Sequence, residues 1–270
     1  MSQGKFKFQE NHRYSMPAHF GGREGGSLNA HYEDVTMLVV TYRTDGDKLA
    51  QYIPDCLELI APEITVAFVM NRGVQWMAGG VYNLVAVNAP VRFKGNGEVI
   101  EGGYALVVWE NKTTPILPGR EAIGIPKIGA QIEDARHAEK YWMAEAAYEG
   151  NKFLDMTFTE TSNVPQEAID EMNVGSASFD WLGWRYIPKV SGPGAEISQL
   201  TNYPQGMKTK SAILCDATLN WTALRVDQAP AQAHIIGAIA GLPVEEITQA
   251  IITRGESTLL GDEWRVLLEL

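Results

Sequence analysis

Cysteine is scarce in this chain: Cys56 and Cys215 are the two in 270 residues. That excludes a disulfide scaffold and a cysteine-built metal cluster. It fits a reduced compartment, although one bridge between the pair stays open. Basic residues are also few. Twenty-two Lys and Arg stand against 33 Asp and Glu, a net charge of −11. Nucleic acid, whose phosphates need a basic footprint, is not the expected partner. No apolar run reaches the roughly 20 residues of a membrane span. The opening MSQGKFKFQENHRYSM has no apolar signal core, so export is not expected and the cytoplasm is. The histidines (His12, His19, His31, His137 and His234) are scattered without zinc-like spacing. Neither G-x-S-x-G nor a Walker loop occurs. One absence is local: residues 64–93 contain no Asp or Glu.

What is present is a chain able to build a core. Its hydrophobic fraction is 45%, which argues against disorder. No Ser/Gly linker or charge block divides it, so residues 1–270 read as a single domain. The pattern is strand-rich. Val35–Tyr42, Ile64–Asn71, Gly80–Phe93 and Gly103–Glu110 read as strands, the first buried on both faces. Gln131–Ala135, Lys140–Glu149 and Lys152–Thr161 read as an antiparallel meander. Trp184–Pro188, Glu196–Tyr203, Ala212–Val226 and Ser257–Leu270 read as further strands. Short helices are expected at Asp47–Tyr52 and Pro165–Met172, with one helical turn at Arg120–Gly124. Pro243 followed by Glu245 and Glu246 has the character of a helix start, predicting a helix over Pro243–Ala250.

Residues 115–130, PILPGREAIGIPKIGA, carry the one conspicuous chemical group. Lys127 stands alone in an apolar run bounded by Gly124, Pro126 and Gly129. A solvated lysine at a strand start is the plain reading. A buried one is different, because burial disfavours the ammonium and leaves a nucleophilic amine. Such an amine attacks carbonyls and forms Schiff bases. Arg120 and Glu121 beside it read as a compensated pair, either structural or part of a site. Tyr82 reads as a proton or hydrogen-bond donor, or as an ordinary half-buried strand tyrosine. Trp76, Trp109 and Tyr104 are candidate pocket walls or simply core.

The motif Gly119-Arg120-Glu121…Gly124…Pro126-Lys127 resembles the signature of the acetoacetate decarboxylase-like superfamily. The likeness runs along nearly the whole chain. Met16-Pro17-Ala18, Thr41–Asp45, Ile53-Pro54 with Leu57-Glu58, Pro90-Val91 and Gly103-Tyr104 precede the motif in the family's order. Ile187-Pro188 with Gly192, Trp221-Thr222 and Leu242–Ile247 follow it. The resemblance implies a mainly β, β-rich α+β fold, an antiparallel β-barrel or double-sheet cone with a few short helices. It also implies a homo-oligomer, and Lys127 as the lysine that joins a substrate ketone.

The departures bear on the reaction. Decarboxylases of this family follow the nucleophile with a second lysine; here that residue is Ile128. Activation of Lys127 is therefore expected to come from desolvation alone. Their arginine and two glutamates, which orient the leaving carboxylate, fall at Val35, Ala67 and Leu84. The iminium electron sink is kept and the orienting charges are lost. The expectation is a cofactor-independent, metal-free lyase. Lys127 forms a Schiff base with a small, pyruvate-like oxo acid, for aldol condensation and dehydration with an aldehyde, or the reverse. Tyr82, Asn83, Arg120 and Glu121 are its candidate binding or acid–base groups. Alternatives are a 3-oxo-acid decarboxylase and a non-catalytic binder of small carbonyl compounds.

Overall fold

The computed structural model describes residues 3–175 and 178–269. Strands β1 (His12–Arg13) and β2 (Arg23–Glu24) form a small antiparallel ribbon near the start. The others are β3 (Ala30–Arg43), β4 (Leu57–Leu59), β5 (Glu63–Val74), β6 (Gly80–Gly95), β7 (Glu98–Glu110), β8 (Lys127–Gly129) and β9 (Arg136–Ala138). They continue with β10 (Tyr141–Tyr148), β11 (Asn151–Asn163), β12 (Trp181–Pro188), β13 (Ala195–Asn202), β14 (Gln205–Trp221), β15 (Glu246–Leu259) and β16 (Arg265–Glu269). Four helices punctuate them: α1 (Gly46–Ala50), α2 (Thr113–Pro118), α3 (Gln166–Gly175) and α4 (Ala233–Ala240).

The expected β-rich fold with few helices is what the chain adopts, with one difference in closure. Fourteen strands share one sheet; twelve run in the order β16-β13-β12-β7-β6-β5-β3-β15-β14-β11-β10-β9, while β4 pairs with β6 and β8 with β7 off that path. This path does not return on itself. β7 is where it forks: its early part pairs in parallel with β12 at Gly103–Tyr104, and its end pairs in parallel with β8 at Val108–Glu110. Two different strands thus share one edge, so neither completes a barrel. Single bridges, Gln131 to Ala147 and Phe179 to Gln205, brace the curl instead.

The apolar strands β5, β6 and β7 are buried on both faces. One face (Val66, Phe68, Val85, Val87, Trp109) packs into the main core with Phe153, Leu154 and Met156. The other face lines a cavity: Ala67 and Val69 on β5, Leu84 and Ala86 on β6, Val108 on β7. A period of two sends neighbours to opposite faces. That leaves little room for charge in either set and accounts for the acid-free stretch.

Local signals failed at three places. Gln131–Ala135 makes only a single bridge, at Gln131. The described part of Ser257–Leu270 is divided between the end of β15 and β16 by a turn at Gly261–Glu263. The third place is a helix start. Pro243–Ala250 is not helical; β15 starts at Glu246 and lies between β3 and β14. Its Ala250 and Ile252 enter the main core, and pairing with strands on both sides overrides a helix-start signal. The nearby helix is α4, just upstream, where Ala233, Ile236 and Ile239 recur at helical spacing and are buried. Of Ala212–Val226, the part up to Trp221 belongs to one long strand, β14, and the chain leaves the sheet after it.

Candidate active site

Lys127 opens β8 and is 8% exposed. It pairs with Val108 of β7, whose own partner on β6 is Ala86. The three side chains share the cavity face. Ile128, next along β8, faces the opposite way and packs on the main core.

The motif before Lys127 is explained by contacts. α2 runs into a wide helical turn over Gly119–Ile123 that ends at Gly124 with φ +79°. A Cβ on Gly119 would stand 2.7 Å from Lys127 Cδ and 3.1 Å from Nζ. Glycine there lets the turn lie directly against the lysine. A Cβ on Gly124 would run into the backbone of Arg185 on β12, and its positive φ also disfavours other residues.

Nζ of Lys127 donates to the carbonyl of Pro115 at 3.2 Å. It also lies 3.0 Å from Oε1 of Glu110, a residue with no exposed surface. Burial pushes the Glu110 carboxyl above its usual range, and the charge of Lys127 opposes that shift. Neither oxygen of Glu110 has another hydrogen-bond partner among the described residues. The pair faces a cavity of about 300 Å³. The sequence reading missed Glu110 as a site residue. Its signal was an acid ending the apolar strand YALVVWE, with the parity of Val108.

The other sequence candidates separate. Tyr82 lines the cavity and is buried. Its hydroxyl donates to that of Tyr32 at 3.3 Å. Burial, then the neighbouring Tyr32 and Glu110, hold its pKa well above the usual phenol value, so Tyr82 is a neutral donor rather than a base. Asn83, its strand neighbour, must face away. Its side chain bonds Arg72, Asp134 and the carbonyl of Ile132, pinning the segment after β8. Arg120 and Glu121 are exposed, outside the cavity, and no ion pair joins them among the described residues. Arg120 donates to the backbone carbonyl of Lys127 at 3.2 Å, and the carbonyl of Glu121 accepts from Arg185 at 2.7 Å. Of these four, the structure places Tyr82, but not Asn83, Arg120 or Glu121, in the cavity wall with Lys127.

Aromatic walls come from Phe179, Trp181 and Tyr203. Trp109 instead turns into the core, bonding Gln232. Trp76 and Tyr104 lie in other apolar clusters. Val35, Ala67 and Leu84 all line the cavity, so the positions expected to have lost charge form apolar wall beside Lys127 and Glu110. Among the described residues, no cluster of three or more His, Cys, Asp or Glu could hold a metal. Cys56 and Cys215 are free. No helix among them is long and apolar enough to cross a membrane.

The curled β sheet has counterparts among solved structures. A crystal structure of acetoacetate decarboxylase from Legionella pneumophila superposes with a TM-score of 0.75 at 19% identity, covering 100% of this chain and 99% of that one. The enduracididine biosynthesis enzyme MppR, complexed with pyruvate, superposes with a TM-score of 0.70 at 16% identity, covering 95% and 97%. In sequence, the acetoacetate decarboxylase of Burkholderia cenocepacia is 29% identical over 220 residues, 81% of each chain. The acetoacetate decarboxylase (ADC) family pattern matches residues 15–260, and the chain belongs to that family.

Proposed function

We propose that the protein is a carbon–carbon lyase that forms a Schiff base between Lys127 and a small, pyruvate-like oxo acid. It joins the resulting enamine to an aldehyde with loss of water, or runs that sequence in reverse. The observation that carries this reading is Glu110, a buried carboxylate 3.0 Å from Nζ and the one acidic residue among those lining the cavity.

The steps follow from that pair. In this cycle Glu110, 3.0 Å from Nζ, takes the ammonium proton and frees the amine of Lys127. The amine attacks the ketone carbon, water leaves, and a protonated imine forms. Glu110, ionised again by giving that departing oxygen its proton, removes one from the carbon next to the imine. The electron pair moves onto the imine nitrogen and gives a neutral enamine. The enamine carbon attacks the aldehyde, and the alkoxide formed takes its proton from Glu110. Loss of water and hydrolysis of the imine release an unsaturated oxo acid and the free lysine. One oxo acid and one aldehyde give one product and one water. The lysine itself is the electron sink, and these steps need no further cofactor. Structures of MppR with pyruvate, and with the condensation product of pyruvate and imidazole 4-carboxaldehyde, support ligands of this kind in the same fold.

Decarboxylation of a 3-oxo acid is the second reading, favoured by relatives named acetoacetate decarboxylase at 29% identity. It needs the same imine but no base, because carbon dioxide leaves in place of a proton. Incubation with pyruvate and borohydride, followed by mass mapping, is expected to place an adduct on Lys127. No adduct with any oxo acid, together with unchanged turnover in Lys127→Ala, would refute the proposal. Release of carbon dioxide from acetoacetate, without aldol product from pyruvate and aldehydes, would establish the second reading.

A further inference from the structure

Two buried amides line the cavity with their donors unused. Nδ2 of Asn71 and of Asn88 has no hydrogen-bond partner among the described residues. An unsatisfied buried amide is unfavourable in itself, so each calls for an acceptor that the folded chain does not supply.

Asn71 is the better placed of the two. It lies directly opposite Tyr82 on one side and Val35 on the other. Tyr82 is two residues from Leu84, and Leu84 pairs with Glu110. Asn71 therefore stands about 7 Å along the strands and about 10 Å across them from Glu110, before the side chains reach inward. Tyr82 spends its hydrogen on Tyr32, and Tyr32, also in the wall, retains its own O–H to donate. Lys127 is the one cation among the residues lining the cavity. An acid group arriving with the substrate thus meets neutral donors. Asn88 lies six residues from Tyr82 along β6, opposite Ala105, towards the other end of the cavity.

We infer that Asn71, with Tyr32 beside it, is the carboxylate subsite, holding the acid group of an oxo acid whose carbonyl carbon is bonded to Lys127. This rests on the Schiff-base reading. Asn71 and Tyr32 share the cavity wall with Lys127 and Glu110, and two neutral donors compensate the acid's charge by hydrogen bonds alone.

The test is borohydride trapping on the intact protein, titrated with pyruvate and in parallel with hydroxyacetone, a neutral ketone of similar size. Half-saturation is read by intact mass. Asn71→Leu is expected to raise the pyruvate half-saturation about 10- to 100-fold, the weight of a hydrogen bond to a charged group, and to leave hydroxyacetone unchanged. Asn71→Asp keeps the shape and removes the donor, so it is expected to show the same loss of pyruvate with little change in packing. Asn88→Leu is expected to leave the acid-to-ketone ratio at the wild-type value. The subsite is refuted if both Asn71 variants trap pyruvate at the wild-type concentration, or lose both ligands equally. If the wild type traps neither ligand, the Schiff-base reading fails and the subsite falls with it.

Discussion

Replacing Lys127 by methionine keeps much of the side chain's length but removes the cation 3.0 Å from Glu110. Glu110 is 0% exposed, so water does not replace the lost partner. Its charge is then stranded, or is removed by taking up a proton. Protonation sets the ceiling on the loss. Holding a carboxyl of ordinary pKa about 4.3 protonated at pH 7 works against about 2.7 pH units, or about 4 kcal/mol. The sign with pH follows from linkage. Burial already raises the Glu110 carboxyl, and removing the cation raises it further. A raised carboxyl contributes its full stability below the unfolded value near pH 4, and loses it as pH rises through the folded value. The deficit of Lys127→Met is therefore expected to be small at pH 4 and to grow towards pH 7. Glu110→Leu strands the lysine in the same wall, with an expected loss of about 3–5 kcal/mol. The double variant places two apolar side chains in an apolar wall. Its stability is expected within about 1 kcal/mol of the parent, or above it. Urea melts of the four proteins measure the cycle. Thermal midpoints give a second reading at about 2–4 °C per kcal/mol for a chain of this size. If the single losses simply add in the double variant, to within about 0.5 kcal/mol, the two groups are not a buried pair and the reasoning fails.

Four further outcomes are expected. Glu110→Gln should slow exchange of the pyruvate methyl protons for deuterium about 10²- to 10⁴-fold, the usual weight of a positioned base, while the borohydride adduct on Lys127 persists; exchange at the wild-type rate by NMR would remove Glu110 from that role. Gly119→Ala puts a Cβ 2.7 Å from Lys127 Cδ, so turnover is expected to fall with little change in the denaturation midpoint. Gly124→Ala, at φ +79° against the backbone of β12, is expected instead to lose about 1–3 kcal/mol of stability, read by the same melt. Bonds from Asn83, then Arg72, hold the Asp134 carboxyl below its usual range. That contribution is present above the unfolded value near pH 4 and lost as pH falls through the folded one. Asp134 is well exposed, so Asp134→Asn is expected to cost less than about 1 kcal/mol at pH 7, and nothing at pH 2.

Much of this was legible in the chain. Lys127 stood out because a charge rarely sits in an apolar run without purpose, and glycines and prolines set its turn. The strands β5 and β6 were legible as near-continuous apolar runs. The uncharged wall was legible too, since an acid-free stretch survives any shift of alignment. Asn83 was misplaced because parity along β6 cannot be assigned to a cavity until the register with β5 and β7 is known. Arg120 and Glu121 were drawn in by nearness in sequence, whereas the turn directs them outwards and leaves their hydrogen bonds to fix backbone. The helix expected at Pro243–Ala250 failed because a strand between two partners gains ladder bonds and core contacts that local propensity does not register.

The sequence by itself determined that the chain would be β-rich, that a single lysine would sit in apolar surroundings, and that no second lysine would follow it. Those are local properties, set by composition and by the period of side chains along a strand. Only the tertiary structure decided what stands beside the lysine. Glu110 is 17 residues away, and it meets Nζ because β8 returns beside β7 in parallel and shares its cavity face. Where a neighbouring cation was absent from the sequence, the fold sets a buried carboxylate 3.0 Å from Nζ. Pairing across strands, which no local pattern encodes, brought the two together.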